Sequence, residues 1–278
     1  MLEMLKAVLF GIVEGITEWL PISSTGHMIL LNEFVQLDVS EEFWSVFLVV
    51  IQLGAILAVV VLYWNTIWPL GLHKHRKRTR IVIKEDTIRL WIKTIVACIP
   101  AAVVGILLDD WLDEHFYNWL VVSIMLIIVG IAFIIIEMRN RDAEPVVTDL
   151  RDLTMKDALI IGMFQLIAAV FPGTSRSGAT IIGGLLIGVS RQVAAEFTFI
   201  LAIPVMAGAS LLKLLKNGLD YTSQEWLILI IGMVVAFAVS VLVIRFLMGY
   251  IRKHDFKVFG IYRIILGALV ILYFGLIR

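Results

Sequence analysis

The sequence predicts an all-α polytopic membrane protein with six transmembrane helices and two re-entrant helical hairpins, arranged as an inverted-topology repeat. Of its 278 residues, 60% are hydrophobic and 17% are charged, whereas a soluble domain is about half apolar and about a quarter charged. Six apolar blocks each approach the roughly 20 residues that cross a bilayer. They are 43–64, 92–108, 119–136, 197–215, 226–244 and 258–277. We treat 1–278 as one membrane domain.

Charge and cysteine content exclude several classes of protein. The formal net charge is zero, so nothing in the bulk charge indicates a nucleic-acid partner. The single cysteine, Cys98, falls inside an apolar block and rules out a disulfide framework within the chain. The first residues include Glu3, Glu14 and Glu18 and do not resemble a cleavable signal peptide.

The distribution of basic residues predicts the orientation. Residues 65–89 contain seven Lys and Arg and are expected in the cytoplasm, whereas 109–115 contain four acids and no Lys or Arg and are expected outside. Both termini then lie outside. Near the span ends we expect Lys93 and Glu137 to reach the interface, and Arg191 and Glu196 to pair or to face it.

Two further apolar regions, 5–35 and 158–189, are broken by polar residues in the middle. The apolar run on either side of each break is about half a span long. Apolar half-helices joined by a polar loop are typical of a re-entrant hairpin, whose irregular backbone is tolerated only where protein or water surrounds it.

The two broken regions also resemble each other. GIVEGITEWLPISSTGH aligns with GMFQLIAAVFPGTSRSG at an offset of 151, without a gap. The alignment places Gly11 on Gly162, Glu14 on Gln165, Pro21 on Pro172, Ser23 on Thr174 and Ser24 on Ser175. The chain is therefore predicted to be a duplication with halves 1–140 and 155–278. Each half has an odd number of crossings, so the second half is inverted, as in many transporters.

Inversion brings the two polar tips together near the bilayer midplane. Pro21 and Pro172 end the first half-helices, and the Ser23–Ser24 and Thr174–Ser175 pairs are good N-caps for the second ones. Two helix N-termini then direct free backbone N–H groups at one spot, an arrangement that binds anions and phosphate above all.

The acidic residues of the first tip predict a cation site. Glu14 and Glu18 are four residues apart and share one helix face. Two carboxylates in an apolar helix are costly and mark function, and they repel each other unless a proton or a cation relieves them. We expect a divalent cation, Mg²⁺ or Ca²⁺, since both prefer oxygen ligands. Gln165 takes the place of Glu14 in the second half.

The basic and hydroxyl residues predict a phosphate site. Arg176 offers a planar fork that matches phosphate oxygens, and Ser175, Ser177 and Thr180 add hydroxyls beside it. An ion pair between Arg176 and Glu18 is the simpler alternative. His27 is a candidate general acid–base or nucleophile, and Ser24, about one helical turn earlier, is the other candidate nucleophile.

EGITEWLPISSTGH followed by PGTSRSGATI resembles the undecaprenyl-pyrophosphate phosphatase family, also called BacA or UppP. The resemblance runs nearly the whole length and includes VIQLGAILAVV and GVSRQVAAEFTFILAIP. It implies a phosphatase of the bacterial inner membrane that converts the C55 polyprenyl pyrophosphate to the monophosphate carrier for peptidoglycan synthesis and confers bacitracin resistance. It also implies an active site facing the external, periplasmic side.

The family's motif residues carry over to Glu14, Glu18, Ser24, His27, Ser175 and Arg176. We expect Glu18, Ser24, His27 and Arg176 to be catalytic and Glu14 and Glu18 to hold the metal. Substrate contacts are expected from loop residues and their neighbours, namely Ser23, Thr25, Gly26, Gln165, Gly173, Thr174, Ser175, Ser177, Gly178 and Thr180. The expected partners are the polyprenyl pyrophosphate and membrane lipids, and a homodimer would be compatible with the sequence.

One rival class is left open by the residues themselves. A polyprenyl-phosphate flippase or transporter would use the same inverted repeat and the same midplane anion site. The paired glutamates with Ser and His favour chemistry, because a transporter needs only binding groups. A membrane scaffold would leave Glu14, Glu18 and Arg176 without a role.

Overall fold

The computed structural model describes residues 1–75, 78–116 and 118–277, without the side chains of 72–80, 109–110, 113–114 and 276–277. Most of the basic side chains from which the cytoplasmic placement of 65–89 was predicted, and all four acids of 109–115, lie outside the described part. The described chain is mainly helical, as the apolar blocks predict. One antiparallel hairpin, β1 (Leu70–His75) and β2 (Arg78–Ile83), interrupts the helices.

Most connections between the helices are short, and the longest are 68–84 between the fifth and sixth helices and 140–154 between the seventh and eighth. In chain order they are α1 (Leu2–Thr17), α2 (Ser24–Phe34), α3 (Glu41–Val50), α4 (Gln52–Leu62), α5 (Trp64–Ile67), α6 (Glu85–Phe116), α7 (Trp119–Arg139), α8 (Met155–Val170), α9 (Arg176–Leu186), α10 (Arg191–Asn217), α11 (Ser223–Tyr250) and α12 (Lys257–Leu272), which continues as a π-helical turn, Tyr273–Ile277. Hydroxyl side chains start several of them, and Thr154 and Thr222 form capping boxes with Asp157 and Glu225.

Six stretches of the described residues are long and apolar enough to cross a membrane. They are Glu41–Leu62, which joins α3 and α4, Glu85–Leu108, Trp119–Arg139, Arg191–Asn217, Ser223–Tyr250 and Lys257–Gly275. Each overlaps one predicted block, so the prediction of six spans is confirmed. The four shorter helices α1, α2, α8 and α9 occupy the two broken regions.

The first helix of each broken region packs on a span from the other half of the chain. Helix α1 lies along α11, and α8 lies along α6. Both contacts are close because a glycine faces the neighbour: Gly11 meets the backbone of Gly232, and Gly162 meets that of Ala97. The spans α7 and α12 pack on each other, as do α4 and α10. The re-entrant placement and the inverted repeat stay predictions, since they are defined relative to a membrane.

A buried ion pair corrects two expectations about the span ends. Arg191 bonds to Glu137, and not to Glu196, through Nε (2.9 Å) and Nη2. Glu137 is fully buried rather than reaching the interface, and it also accepts from the Phe256 amide at 3.0 Å. One carboxylate therefore ties together the end of α7, the start of α10 and the start of α12.

Candidate functional site

The two polar tips have the same local structure. Ser23 caps α2 and accepts from the Gly26 amide at 3.3 Å, and Ser175 caps α9 and accepts from the Gly178 amide at 3.2 Å. Both serines have positive φ, at 75° and 68°, and no other non-glycine residue of the described chain does. Such strained backbone is uncommon and clusters at functional sites.

This shared geometry shifts the expected alignment by one residue. The ungapped comparison paired Ser23 with Thr174 and Ser24 with Ser175, but the caps equate Ser23 with Ser175. The reason is length, because Ser23 lies nine positions after Glu14 whereas Ser175 lies ten positions after Gln165. The residue that follows each cap is therefore Ser24 in one tip and Arg176 in the other, so equivalent positions carry a hydroxyl and a guanidinium.

Glu18 connects the two tips. Its Oε2 accepts from Ser24 Oγ at 2.7 Å, and its Oε1 accepts from Arg176 Nη2 at 3.0 Å. Its backbone carbonyl accepts from Ser177 Oγ at 3.1 Å. Arg176 is held from the other side, since its Nη1 donates to the Thr198 carbonyl at 2.9 Å. The expected contact between acid and guanidinium, 158 residues apart in the chain, is present.

The remaining hydroxyls of the second tip form hydrogen bonds that hold the structure around the site in place. Thr180 Oγ1 donates to the Arg176 carbonyl at 2.9 Å and accepts from Thr198 Oγ1 at 2.8 Å. Ser175 and Ser177 hydroxyls lie 3.1 Å apart. These bonds fix the first turn of α9, so Arg176 is held in one position relative to Glu18.

Several buried polar atoms near the tips have no hydrogen-bond partner among the described residues. They are Glu14 Oε1, both amide atoms of Gln165, Thr174 Oγ1 and Arg176 Nε. Buried polar groups are nearly always paired, so these atoms are available to a bound molecule. Glu14, Gln165 and Thr174 were expected to contact a metal or the substrate, and their unpaired atoms fit that role. Thr25 shows no side-chain partner that would assign it one.

His27 is held apart from this cluster. Its Nδ1 lies 2.7 Å from the Ser23 carbonyl, and its Nε2 lies 2.7 Å from the Tyr262 hydroxyl. A carbonyl can only accept, so Nδ1 carries the proton and Nε2 accepts from Tyr262. Neither nitrogen contacts Glu18, Ser24 or Arg176 in the described chain. The geometry therefore favours Ser24 over His27 as the nucleophile.

Arg263 is a central residue that the sequence analysis missed. It lies in α12, is 0% exposed, and donates to the carbonyls of Pro21 (3.1 Å), Gly173 (2.8 Å) and Thr174 (2.9 Å). One guanidinium thus holds both tips. The sequence did contain a signal for it, because a charged residue inside an apolar span usually marks function. Arg263 is the sixth residue of the apolar block 258–277.

Replacing Arg263 with methionine should destabilise the tips and the fold. The three tip carbonyls, and the more distant carbonyls of Met125 and Leu126, would lose a charged donor, and bonds to charged groups contribute about 1.5–3 kcal/mol each. We expect a clear fall in the melting temperature of the purified protein in detergent, together with loss of function. Arg245→Met is the matched control, because Arg245 is exposed on α11. Equal melting temperatures for both variants would contradict the bridging role.

The arrangement suits transfer of a phosphoryl group to a hydroxyl. A serine hydroxyl donates to a carboxylate that can take its proton, and a guanidinium lies on the other oxygen of the same carboxylate. Helices α2 and α9 both begin at the tips, and helix N-termini attract anions. Phosphoryl transfer depends mainly on such positioning and charge stabilisation.

Comparison with known proteins agrees with this chemistry. The family model described as bacitracin resistance protein BacA matches residues 7–269. The chain is 61% identical to an undecaprenyl-diphosphatase of Desulfitobacterium hafniense, over 99% of this chain and 97% of that protein. It is 62% identical to undecaprenyl-diphosphatase 1 of Clostridium acetobutylicum over 98% of each. It is also 57% identical to an undecaprenyl-diphosphatase of Acetivibrio thermocellus over the full length of both.

Proposed function

Because this chain belongs to the bacitracin resistance protein BacA family, we propose that it is an integral membrane undecaprenyl-diphosphatase. It removes the terminal phosphate of undecaprenyl pyrophosphate and releases undecaprenyl phosphate for reuse in peptidoglycan synthesis. The observation that carries this proposal is the contact of Ser24 Oγ and Arg176 Nη2 with the two oxygens of one buried carboxylate, Glu18.

Binding comes first. The pyrophosphate head carries about three negative charges at neutral pH. Arg176 offers its Nε, which has no partner among the described residues, and the remaining hydrogens of its fork. The N-termini of α2 and α9 add roughly half a positive charge each. Gln165 and Thr174 supply further polar atoms that lack partners. The polyprenyl tail leaves the site between helices towards the lipid.

The chemical step then uses Ser24 and Glu18. Ser24 Oγ attacks the terminal phosphorus while Glu18 Oε2 takes the hydroxyl proton. A bond from Oγ to phosphorus forms and the bond from that phosphorus to the bridging oxygen breaks. Glu18 passes the serine proton to the bridging oxygen of the lipid monophosphate, which leaves, so that Glu18 is again a free carboxylate. Water then attacks the phosphoserine, Glu18 takes a proton from the water, Ser24 regains its proton, and inorganic phosphate departs.

A divalent cation, Mg²⁺ or Ca²⁺, fits the residues present. The described residues contain no cluster of three or more His, Cys, Asp or Glu that could hold a metal, but Mg²⁺ commonly binds through one or two carboxylates and substrate phosphates. Glu14 Oε1 is buried without a partner, and Glu18 lies beside it. A cation here would neutralise phosphate charge. Without a cation, the negative charges of Glu14 and Glu18 cancel the positive charges of Arg176 and Arg263. The three negative charges of the pyrophosphate head would then be poorly balanced.

Removal of divalent cations with a chelator should show that the reaction requires one. We expect EDTA to lower turnover at least about tenfold and Mg²⁺ or Ca²⁺ to restore it, since metal charge stabilisation contributes several kcal/mol. In Glu14→Gln, restoration should need a higher cation concentration. Independent of activity, Mg²⁺ with methylene diphosphonate should raise the melting temperature of the wild type and not of Glu14→Gln. Full turnover in EDTA would contradict the proposal.

Location and topology belong to the same proposal. We place the protein in the bacterial inner membrane, with the site open to the external side, where the spent carrier appears. The first helix of each broken region packs on a span of the other half of the chain, α1 on α11 and α8 on α6. This reciprocal packing and the matching caps of the two tips support an inverted repeat. A homodimer stays a prediction.

One assay separates the enzyme from the transporter. Purified protein in detergent should release inorganic phosphate from undecaprenyl pyrophosphate, and Glu18→Ala should not. Transfer of the lipid across proteoliposome bilayers without phosphate release would instead indicate a flippase. The comparisons give no support to that alternative, because the relatives reported above are named as diphosphatases.

A further inference from the structure

A second polar pocket lies where α6 begins beside the segment that leads into α8. Its volume is about 220 Å³, and it is lined by Asp86, Arg89, Ile92, Lys93, Arg151 and Met155. Three of these side chains are basic and one, Asp86, is acidic, and Arg151 is also paired with Asp149 outside the lining. None of them contacts Glu18, Ser24 or Arg176 in the described chain, and the proposed reaction does not use them.

Lys93 is the central group of this pocket. It was expected to reach the interface, but only 9% of it is exposed, and its Nζ donates inward to the Arg151 carbonyl at 3.2 Å. Among the described residues no carboxylate lies within ion-pair distance of it. An ammonium has three N–H donors, and a buried charge is costly unless an opposite charge accompanies it. Asp86, Asp152 and Asp157 act on the charge of Lys93 only from beyond ion-pair distance, so its remaining N–H donors are open to a bound anion.

A second cation, Arg89, lies close to Lys93. Arg89 lies four residues before Lys93 on the same face of α6, where like charges repel. Its nearest acid is Glu85 at 3.8 Å, in an exposed pair that contributes little. Arg151 uses Nε and Nη2 on Asp149, which leaves its Nη1 free of that pair. A bound anion would relieve the repulsion between Arg89 and Lys93.

The surroundings of the pocket indicate where the anion comes from. Ile92 is 49% exposed and Met155 is 44% exposed, so an apolar rim borders the basic interior. The candidate span Glu85–Leu108 begins at this level, which places the rim at the boundary between lipid and water. An apolar rim does not stabilise a free phosphate, whereas the acyl chains of a phospholipid can pack against it.

We propose that this pocket binds the headgroup of an anionic membrane phospholipid. Its phosphate accepts hydrogen bonds from Lys93 and Arg89, and the first carbons of its acyl chains lie against Ile92 and Met155. Basic pockets between spans at the Lys- and Arg-rich side of membrane proteins recognise anionic headgroups in this way. The bound lipid joins the start of α6 to the start of α8, which is the helix leading to the second polar tip.

Binding of short-chain lipids to the purified full chain tests this site. We expect dioctanoyl phosphatidylglycerol to raise the melting temperature in dodecyl maltoside, and dioctanoyl phosphatidylcholine and inorganic phosphate to have little effect. In Lys93→Gln the apparent affinity for phosphatidylglycerol should fall at least about tenfold, because the headgroup phosphate loses a charged hydrogen bond. Lys156→Gln is the matched control, since Lys156 is exposed nearby and does not line the pocket.

Each outcome decides the proposal. Equal affinity in Lys93→Gln and Lys156→Gln would overturn it, and equal stabilisation by inorganic phosphate would overturn the lipid as occupant. If Lys93→Gln does not fold, Arg89→Gln replaces it, because the Arg89 side chain is 70% exposed and its loss leaves the packing intact. Affinity in Arg89→Gln should then fall while that of Lys156→Gln stays at the wild-type level.

Discussion

Replacing Ser24 with alanine should lower the turnover of undecaprenyl pyrophosphate by at least about 10³-fold, as loss of a catalytic nucleophile commonly does. The hydroxyl donates to Glu18 Oε2 at 2.7 Å, which is the geometry of a nucleophile with its base. Ser240→Ala is the control, because Ser240 is buried in α11 with an unpaired hydroxyl. That variant should keep wild-type turnover.

A labelled intermediate distinguishes Ser24 from His27. With substrate labelled in the terminal phosphate, rapid quenching should trap a phosphoenzyme that survives acid, since phosphoserine resists acid and phosphohistidine does not. The label should be absent from Ser24→Ala and present in His27→Gln, because His27 is engaged by Ser23 and Tyr262. An acid-labile label that disappears with His27 would reverse the assignment.

Replacing Arg176 with lysine should cost about 10²–10³-fold in turnover although the positive charge is kept. The guanidinium bonds to Glu18 Oε1 and to the Thr198 carbonyl at the same time and has Nε to spare for phosphate. A lysine ammonium cannot bridge those two acceptors and also reach the substrate in the same geometry. The expected loss is mainly in kcat, because the fork stabilises charge that develops during transfer.

Two matched measurements make the Arg176 result specific. Arg245→Lys, at an exposed position of α11, should have no effect. The melting temperature of Arg176→Lys should stay close to that of the wild type, so that lost turnover reports the site and not the fold. Turnover within about twofold of wild type, a difference of less than 0.5 kcal/mol in barrier, would refute the role assigned to Arg176.

Features with a signature in the sequence were predicted correctly. The six spans follow from apolar blocks of the right length, and their positions agree with the structure. The contact between Glu18 and Arg176 was predicted because similar broken regions place both residues in polar tips that were expected to meet. The caps Ser23 and Ser175 follow from residue types that satisfy helix amides.

Features that depend on distant or backbone partners were not predicted. Arg263 bonds to carbonyl groups, which every residue possesses, so its acceptors have no sequence signature. Glu137 pairs with Arg191 only because α7 and α10 meet in the fold. The sequence did not reveal the one-residue shift between the tips, because Thr174 and Ser175 are adjacent hydroxyl residues. Either of the two alignments places a hydroxyl residue opposite Ser23.

The packing of α1 against α11 has a consequence for biogenesis. The ribosome makes α1 first, yet the helix that covers it begins at Ser223, more than two hundred residues later. Until then α1, which carries Glu14, lacks the helix that it packs against, and until Arg176 is made Glu18 also lacks its ion-pair partner. Nascent chains that stop before Ser223 should therefore be substrates for membrane proteases, which makes the last fifth of translation the stage at which this enzyme is either completed or discarded.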